Sequence, residues 1–179
     1  MKHAFTGKGD RGKSTVSGCE IDKNSPITSC LGNLDELVSL LGFFRASLKD
    51  KSIKETILTI QNDIFTIQAN VAFLIYKGKK PPKFGPGRIR GLENLIALMS
   101  KNIPEVKSFV IPGATVESAL GDLCRAVARN TERNLVALAK EGWLRKDILP
   151  YANRLSSFLF ILSRYLAAKS KITEEHPRY

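Results

Sequence analysis

Between residues 53 and 74 the apolar side chains recur at alternating steps of four and three: Ile53, Ile57, Ile60, Ile64, Ile67, Val71 and Leu74. That spacing puts them on one stripe of a helix, whereas a strand would scatter them over both faces. Such a stripe must be buried against other helices. Four more segments repeat the pattern. Residues 32–48 carry Leu34, Leu37, Val38 and Leu41, and residues 88–102 carry Leu92, Leu95, Ile96 and Met99, closed by Pro104. Residues 115–140 carry Val116, Leu120, Leu123, Val127, Leu135 and Leu138, with Gly142 as the expected cap. Residues 147–170 carry Ile148, Leu155, Phe158, Leu159, Leu162, Tyr165 and Leu166, with Asp147 or its predecessors at the start. No run alternates as a strand should, and no internal repeat appears. The expected fold is an all-α five-helix bundle with short loops.

The chain has 179 residues, which fits one domain spanning 1–179. Residues 31–170 form the bundle in this reading, and residues 171–179 a frayed or surface-docked tail. Residues 1–30 differ: they hold Gly7, Gly9, Gly12 and Gly18 among many Ser, Thr and Lys, and read as a loop that orders on binding. Cys19, Cys30 and Cys124 are an odd set without C-x-x-C spacing, so reduced thiols and a cytoplasmic location are expected. His3 and His176 stand at opposite ends, which argues against a structural zinc site. No apolar run is judged to approach 18 residues, and the polar, Gly-rich start is no signal peptide, so no membrane-spanning segment is expected. The net charge of +11 implies anionic partners: nucleic acid, an anionic membrane surface or phosphorylated small molecules.

Gly7-Lys8-Gly9-Asp10-Arg11-Gly12-Lys13-Ser14 matches G-x-x-x-x-G-K-[ST] literally. A P-loop needs a buried strand before it and a helix after it, and neither fits here. The local chemistry survives that rejection. Glycines let backbone N–H groups approach an anion, and Lys8, Arg11 and Lys13 supply charge. A flexible basic tail is the plainer alternative. Arg125, Arg129 and Arg133 recur every fourth residue, so they share one ridge of the fourth helix, with Glu132 between them. Such a ridge is often only a solvated face, yet guanidinium forks suit phosphates and carboxylates. Asn153 stands among apolar residues of the fifth helix, either satisfying a backbone group or touching a ligand. Asp35-Glu36 falls near the expected start of the first helix, where dipole complementarity or first-turn capping would explain it. Phe109, before Pro112-Gly113, belongs to a short apolar connection.

Six motifs in register, over nearly the whole chain, resemble the PduO-type ATP:cob(I)alamin adenosyltransferases. They are the loop Thr6–Ser14 with Lys23 following, Gly32-Asn33-Leu34-Asp35-Glu36-Leu37, Ile60-Gln61-Asn62-Asp63-Ile64-Phe65, Phe109-Val110-Ile111-Pro112-Gly113, the helix Arg125–Arg133, and Tyr151-Ala152-Asn153-Arg154-Leu155-Ser156 with its continuation to Phe160. The resemblance implies a homotrimer of five-helix bundles with ATP bound between subunits. It implies that cob(I)alamin attacks the 5′ carbon of ATP, with Mg²⁺ assisting and inorganic triphosphate leaving. By position, Thr6, Gly9, Asp10, Gly12, Lys13, Ser14 and Lys23 would form the phosphate loop. Arg125, Arg129, Glu132 and Asn153 would complete the nucleotide site, with Arg125 and Arg129 acting on the leaving group. Asp35 would pair with Arg125 of a neighbouring subunit. Phe109 would wall the corrin site and displace the lower axial base, with Asp63 and Phe65 also on the corrinoid side. No protein side chains alone would hold the metal; Mg²⁺ would come with ATP.

This chemistry needs no general base, since the cobalt is the nucleophile, and charge developing on triphosphate can be met by Lys, Arg and Mg²⁺. The chain departs from the family pattern at Gly7-Lys8, Asn33, Ala114, Asn130 and Ser157. A corrinoid reductase or an adenosylcobalamin-dependent enzyme would be a further partner. Two other readings remain at this stage: a basic helical nucleic-acid-binding module, and an ATP or corrinoid carrier with weakened catalysis.

Overall fold

A computed structural model describes residues 7, 9–76, 80–140 and 144–179. Thr6, Lys8, Gly142 and Trp143 lie outside the described residues. The element order is β1 (Lys13–Val16), β2 (Cys19–Asp22), α1 (Pro26–Ser47), α2 (Lys51–Ala72), α3 (Pro86–Ser100), α4 (Val116–Lys140) and α5 (Ile148–Lys169). All five expected helices are present. The central contacts run α1 to α2, α1 to α4, α4 to α5 and α5 to α3.

Two expectations about the N-terminal region are corrected. Residues 13–22 are an antiparallel hairpin, with Lys13 opposite Asp22 and Val16 opposite Cys19. Its turn is Ser17-Gly18, both at positive φ (50° and 83°), as a type I′ turn requires. The four-residue strands are too short to show alternation, so only the turn residues signalled them. Helix α1 starts at Pro26, well before residue 32. Ser25 caps it by accepting from the Thr28 backbone N–H at 3.2 Å, and proline occupies the first turn. Asp35 and Glu36 are therefore mid-helix, and a first-turn role for them is excluded.

The seam of α2 is buried as its spacing demands: Ile53, Ile57, Ile60, Ile64, Ile67 and Val71 are all at most 5% exposed. It packs with Leu34, Leu37, Leu41 and Phe44 of α1 and with Phe158, Leu159 and Leu162 of α5 in one core. By length and mean hydropathy α1 could cross a bilayer, contrary to the sequence reading. In the fold it is a core helix, with Ile27, Cys30, Leu34, Leu37, Val38, Leu41 and Phe44 buried. Burial pushes the Cys30 and Cys124 thiols up to about 12, so both stay protonated at neutral pH.

Side chains of the motifs also fasten the helices. Gln61 of α2 donates to the Val38 carbonyl of α1 at 3.0 Å and accepts from Arg45 at 3.1 Å. Asn33, a departure from the family pattern, accepts from Asn134 Nδ2 of α4 at 2.8 Å.

Candidate active site

The N-terminal loop is shaped by its own backbone. Gly7 and Gly12 sit at φ 68° and 75°, a region open to glycine at little cost. Asp10 N–H donates to the Gly7 carbonyl and Gly12 N–H to the Gly9 carbonyl, each at 3.3 Å, and Lys23 N–H donates to the Gly12 carbonyl at 2.9 Å. Gly9 faces the Lys23 ammonium so closely that a Cβ would stand 3.1 Å from Nζ. Gly7, Gly9, Arg11, Lys13, Ser14 and Lys23 line an open cavity of about 990 Å³. Cations, a hydroxyl and approachable backbone amides on one concave surface suit a polyphosphate. Within it the hairpin register sets Lys13 against Asp22, Nζ to carboxylate 2.8 Å, and that hydrogen bond raises the Lys13 pKa.

A second cavity, of about 260 Å³, lies between α4 and α5 and is lined by Arg129, Glu132, Arg133, Val136 and Asn153. Asn153 Nδ2 donates to Glu132 Oε1 at 2.9 Å, and Arg154 donates to Asn153 Oδ1 at 3.0 Å while its Nε reaches Glu93 Oε1 at 3.0 Å. The Asn153 amide is thus fixed on both sides by side chains, not spent on the backbone. Arg129 is exposed and, among the described residues, makes no ion pair. Asn130, a second departure, accepts from Arg133 at 3.1 Å.

Arg125, one turn before Arg129, is half-buried. Its Nε is 3.5 Å from Asp122 Oδ1, close enough for an ion pair but not aimed for a hydrogen bond. Asp122 itself is buried and pairs with buried Arg164 of α5. Asp35 is exposed and, among the described residues, unpaired.

On the expected corrinoid side, Phe109 is 77% and Phe65 55% exposed. Asp63 is different. It is buried, with one carboxylate oxygen accepting from Tyr151 Oη at 2.9 Å and the other paired with Arg88 at the start of α3. Burial raises the Tyr151 pKa, so its proton stays available for that bond. Asp63, three residues past Ile60 and just before Ile64, borders the α2 seam, which puts it at the edge of the buried stripe. Its partners Arg88 and Tyr151 lie on other helices and carried no local signal.

Within one protomer, then, the predicted site residues fall into two groups. Gly9, Lys13, Ser14 and Lys23 share the loop cavity, while Arg129, Glu132 and Asn153 share the helical one. No lining residue is common to both.

The profile of the cobalamin adenosyltransferase family matches residues 4–166. The chain belongs to that family. It is 31% identical over 172 residues to a corrinoid adenosyltransferase of Bacillus subtilis, with 94% of this chain and 88% of that one covered. It is 32% identical to the human corrinoid adenosyltransferase MMAB, covering 92% of this chain and 69% of the human one. In fold it resembles a variant of the PduO-type ATP:corrinoid adenosyltransferase from Lactobacillus reuteri complexed with cobalamin and ATP, at a TM-score of 0.91 and 25% identity, over 99% of this chain and all of that one.

Proposed function

We propose that this protein transfers the 5′-deoxyadenosyl group of ATP to the cobalt of cob(I)alamin, giving adenosylcobalamin and inorganic triphosphate. The observation that carries the reading is the convergence of Arg129, Glu132 and Asn153 on one cavity, in a chain of the cobalamin adenosyltransferase family whose glycine loop forms a separate cationic cavity. The relatives' names and the cobalamin and ATP bound to the Lactobacillus reuteri enzyme support it.

In this reaction the cobalt supplies the electron pair of the new Co–C5′ bond. The C5′–O bond of ATP breaks, and its pair leaves on triphosphate. The protein's task is to hold the reacting atoms together and meet the growing negative charge. Arg129 has a free guanidinium for this, and Arg125 a partly free one. Lys23 and Lys13 lie on the loop side, Lys13 exchanging Asp22 for phosphate. Glu132 and Asn153 hold each other and offer the nucleoside a donor and an acceptor. Asp10, Gly12 and Ser14 shape the phosphate loop. Ser14, Thr15 and Glu20 of the loop cavity carry oxygen donors of the kind a hard cation takes, and Mg²⁺ held there with the nucleotide would neutralise charge on the phosphates. The resemblance puts Phe109, Phe65 and Asp63 on the corrinoid side. Phe109, with little of its own chain to cover it, is suited to exclude the axial ligand of the corrin by bulk and dryness.

The two half-sites are not joined within one protomer. A homotrimer, in which each loop meets α4 and α5 of its neighbour and Asp35 pairs with the neighbour's Arg125, completes each site and gives exposed Asp35 its partner. The test is incubation with ATP, Mg²⁺ and chemically reduced cobalamin, followed by absorption spectroscopy. Growth of the adenosylcobalamin spectrum is expected. ATP binding without any product would leave a carrier instead of an enzyme.

A further inference from the structure

Phe109 sits in an irregular stretch, residues 104–115, between α3 and α4. Its ring is 77% exposed, so packing within the chain cannot fix its direction. The backbone must do so. Among the described residues, every hydrogen bond from segment 104–113 to another part of the chain ends on Glu175 or His176. Ile111 N–H donates to the Glu175 carbonyl at 2.8 Å. His176 Nδ1 lies 2.8 Å from the Phe109 carbonyl oxygen and 2.9 Å from Ser108 Oγ. A carbonyl can only accept, so Nδ1 carries the proton and donates to it.

The tail that brings these groups is itself held. Lys171, at φ 56°, turns the chain out of α5, with its N–H on the Ala168 carbonyl at 3.0 Å. Glu174 Oε1 then comes within 3.1 Å of Arg164 Nε, an ion pair not aligned as a hydrogen bond, and Arg164 pairs with Asp122 on its other side. The tail thus crosses beneath segment 103–110 and walls a cavity of about 530 Å³ with it.

We propose that His176 is a positioning residue for Phe109. The strap 171–176 fixes the peptide unit that carries the ring, and His176 donates the hydrogen bond that sets it. This rests on the adenosyltransferase reading, in which Phe109 faces the corrin. Because Arg164 and Arg125 flank the same Asp122, the strap is anchored on the carboxylate that also orients the nucleotide-side arginine.

The experiment compares wild type, His176→Ala and His176→Asn as full chains. Asparagine places an amide N–H near the position of Nδ1, so it retains the donor. Hydrogen exchange of the Ile111 amide in the ligand-free protein reads the strap directly. His176→Ala is expected to speed that exchange roughly tenfold while amides of α4 and α5 stay protected. With reduced cobalamin, its kcat should fall about tenfold or more, since a small misplacement of a positioning group costs that much. Its KM for ATP should stay within about twofold, because the nucleotide half-sites are untouched. His176→Asn should restore both exchange and kcat. Unchanged Ile111 exchange in His176→Ala shows that His176 does not hold the strap, and overturns the proposal. Faster exchange with unchanged kcat shows that the strap does not position Phe109. Wild-type protein that makes no adenosylcobalamin overturns the catalytic reading, and with it the role of His176, whatever the exchange data show.

Discussion

Arg129 and Asp63 are both charged, both helical, and opposite in what their surroundings let them do. Arg129 is exposed and unpaired among the described residues, so it costs the fold nothing and is free for a ligand. Arg129→Ala should lower adenosylation about a hundredfold, the scale of losing one donor to developing charge. Its thermal midpoint should match wild type; a matching turnover would remove Arg129 from the site. Asp63 is locked between Tyr151 and Arg88 in the core. Asp63→Ala breaks a buried pair and should cost about 3 kcal/mol in urea unfolding. Tyr151→Phe removes one bond from the same carboxylate and should cost about 1 kcal/mol. Nearly equal losses in the two variants would show that the Arg88 pair adds nothing to stability.

Helix existence was legible because the apolar period of each helix survives in the core, and α2 shows this best. Two elements read less well. The hairpin hid because four-residue strands give no measurable alternation, leaving Ser17-Gly18 as the sole cue. The first turns of α1 hid because its start is signalled by Ser25-Pro26, within a segment otherwise rich in loop residues. At the α4–α5 contact Gly121 carried no sequence signal at all, because its reason lies on the helix across from it. A Cβ on Gly121 would run into Ser163 Oγ and stand 3.3 Å from Phe44. Gly121→Ala should gain helix propensity worth up to about 1 kcal/mol. It should lose roughly 1–3 kcal/mol to overpacking. A lower urea midpoint is therefore expected, and a raised one would mean the helices can separate freely.

The start of α2 is clipped to the end of α5. Asp50 caps α2 through Ser52 and Ile53 N–H and accepts from Lys169 Nζ at 3.0 Å. The Lys169 bond chiefly lowers the Asp50 pKa, and the Asp50 bond chiefly raises that of Lys169. A depressed carboxylate pKa gives stability that is present above the ordinary value of 3.8 and lost as pH falls through the folded value. A raised lysine pKa gives stability that is present below 10.5 and lost as pH climbs through the folded value. Asp50→Asn keeps an acceptor for the cap but loses the charge. The thermal midpoint of wild type should exceed that of Asp50→Asn between these limits, and the gap should close below pH 3.8. A gap that persists in acid would assign the difference to the cap alone.

At the scale of the whole molecule, what one chain shows is two incomplete surfaces. The motifs made the residues of both surfaces legible. They could not show how the surfaces meet, which in the proposed trimer depends on an interface between copies and not on any local period. The proposed homotrimer is a ring of head-to-tail contacts, so each site would take its loop from one subunit and its helical face from the next. That arrangement makes a quantitative prediction from two inactive proteins. Lys23→Ala spoils the loop, and Arg129→Ala spoils the helical face. Each homotrimer should be nearly inactive, because every one of its sites carries the same defect. In trimers assembled at random from equal amounts of the two, a sound site needs an intact loop from an Arg129→Ala subunit beside an intact helical face from a Lys23→Ala subunit. Each choice has even odds, so about a quarter of the sites should be complete under heterologous closure. Co-expression with two different tags, double purification and the spectroscopic assay would measure it. Purification through both tags selects mixed rings, in which about one site in three is complete. Activity at that level places the site between subunits. Activity no higher than the two parents means that loop and helices serve the same site within one chain, and the interfacial assignment of Asp35 with Arg125 then falls too.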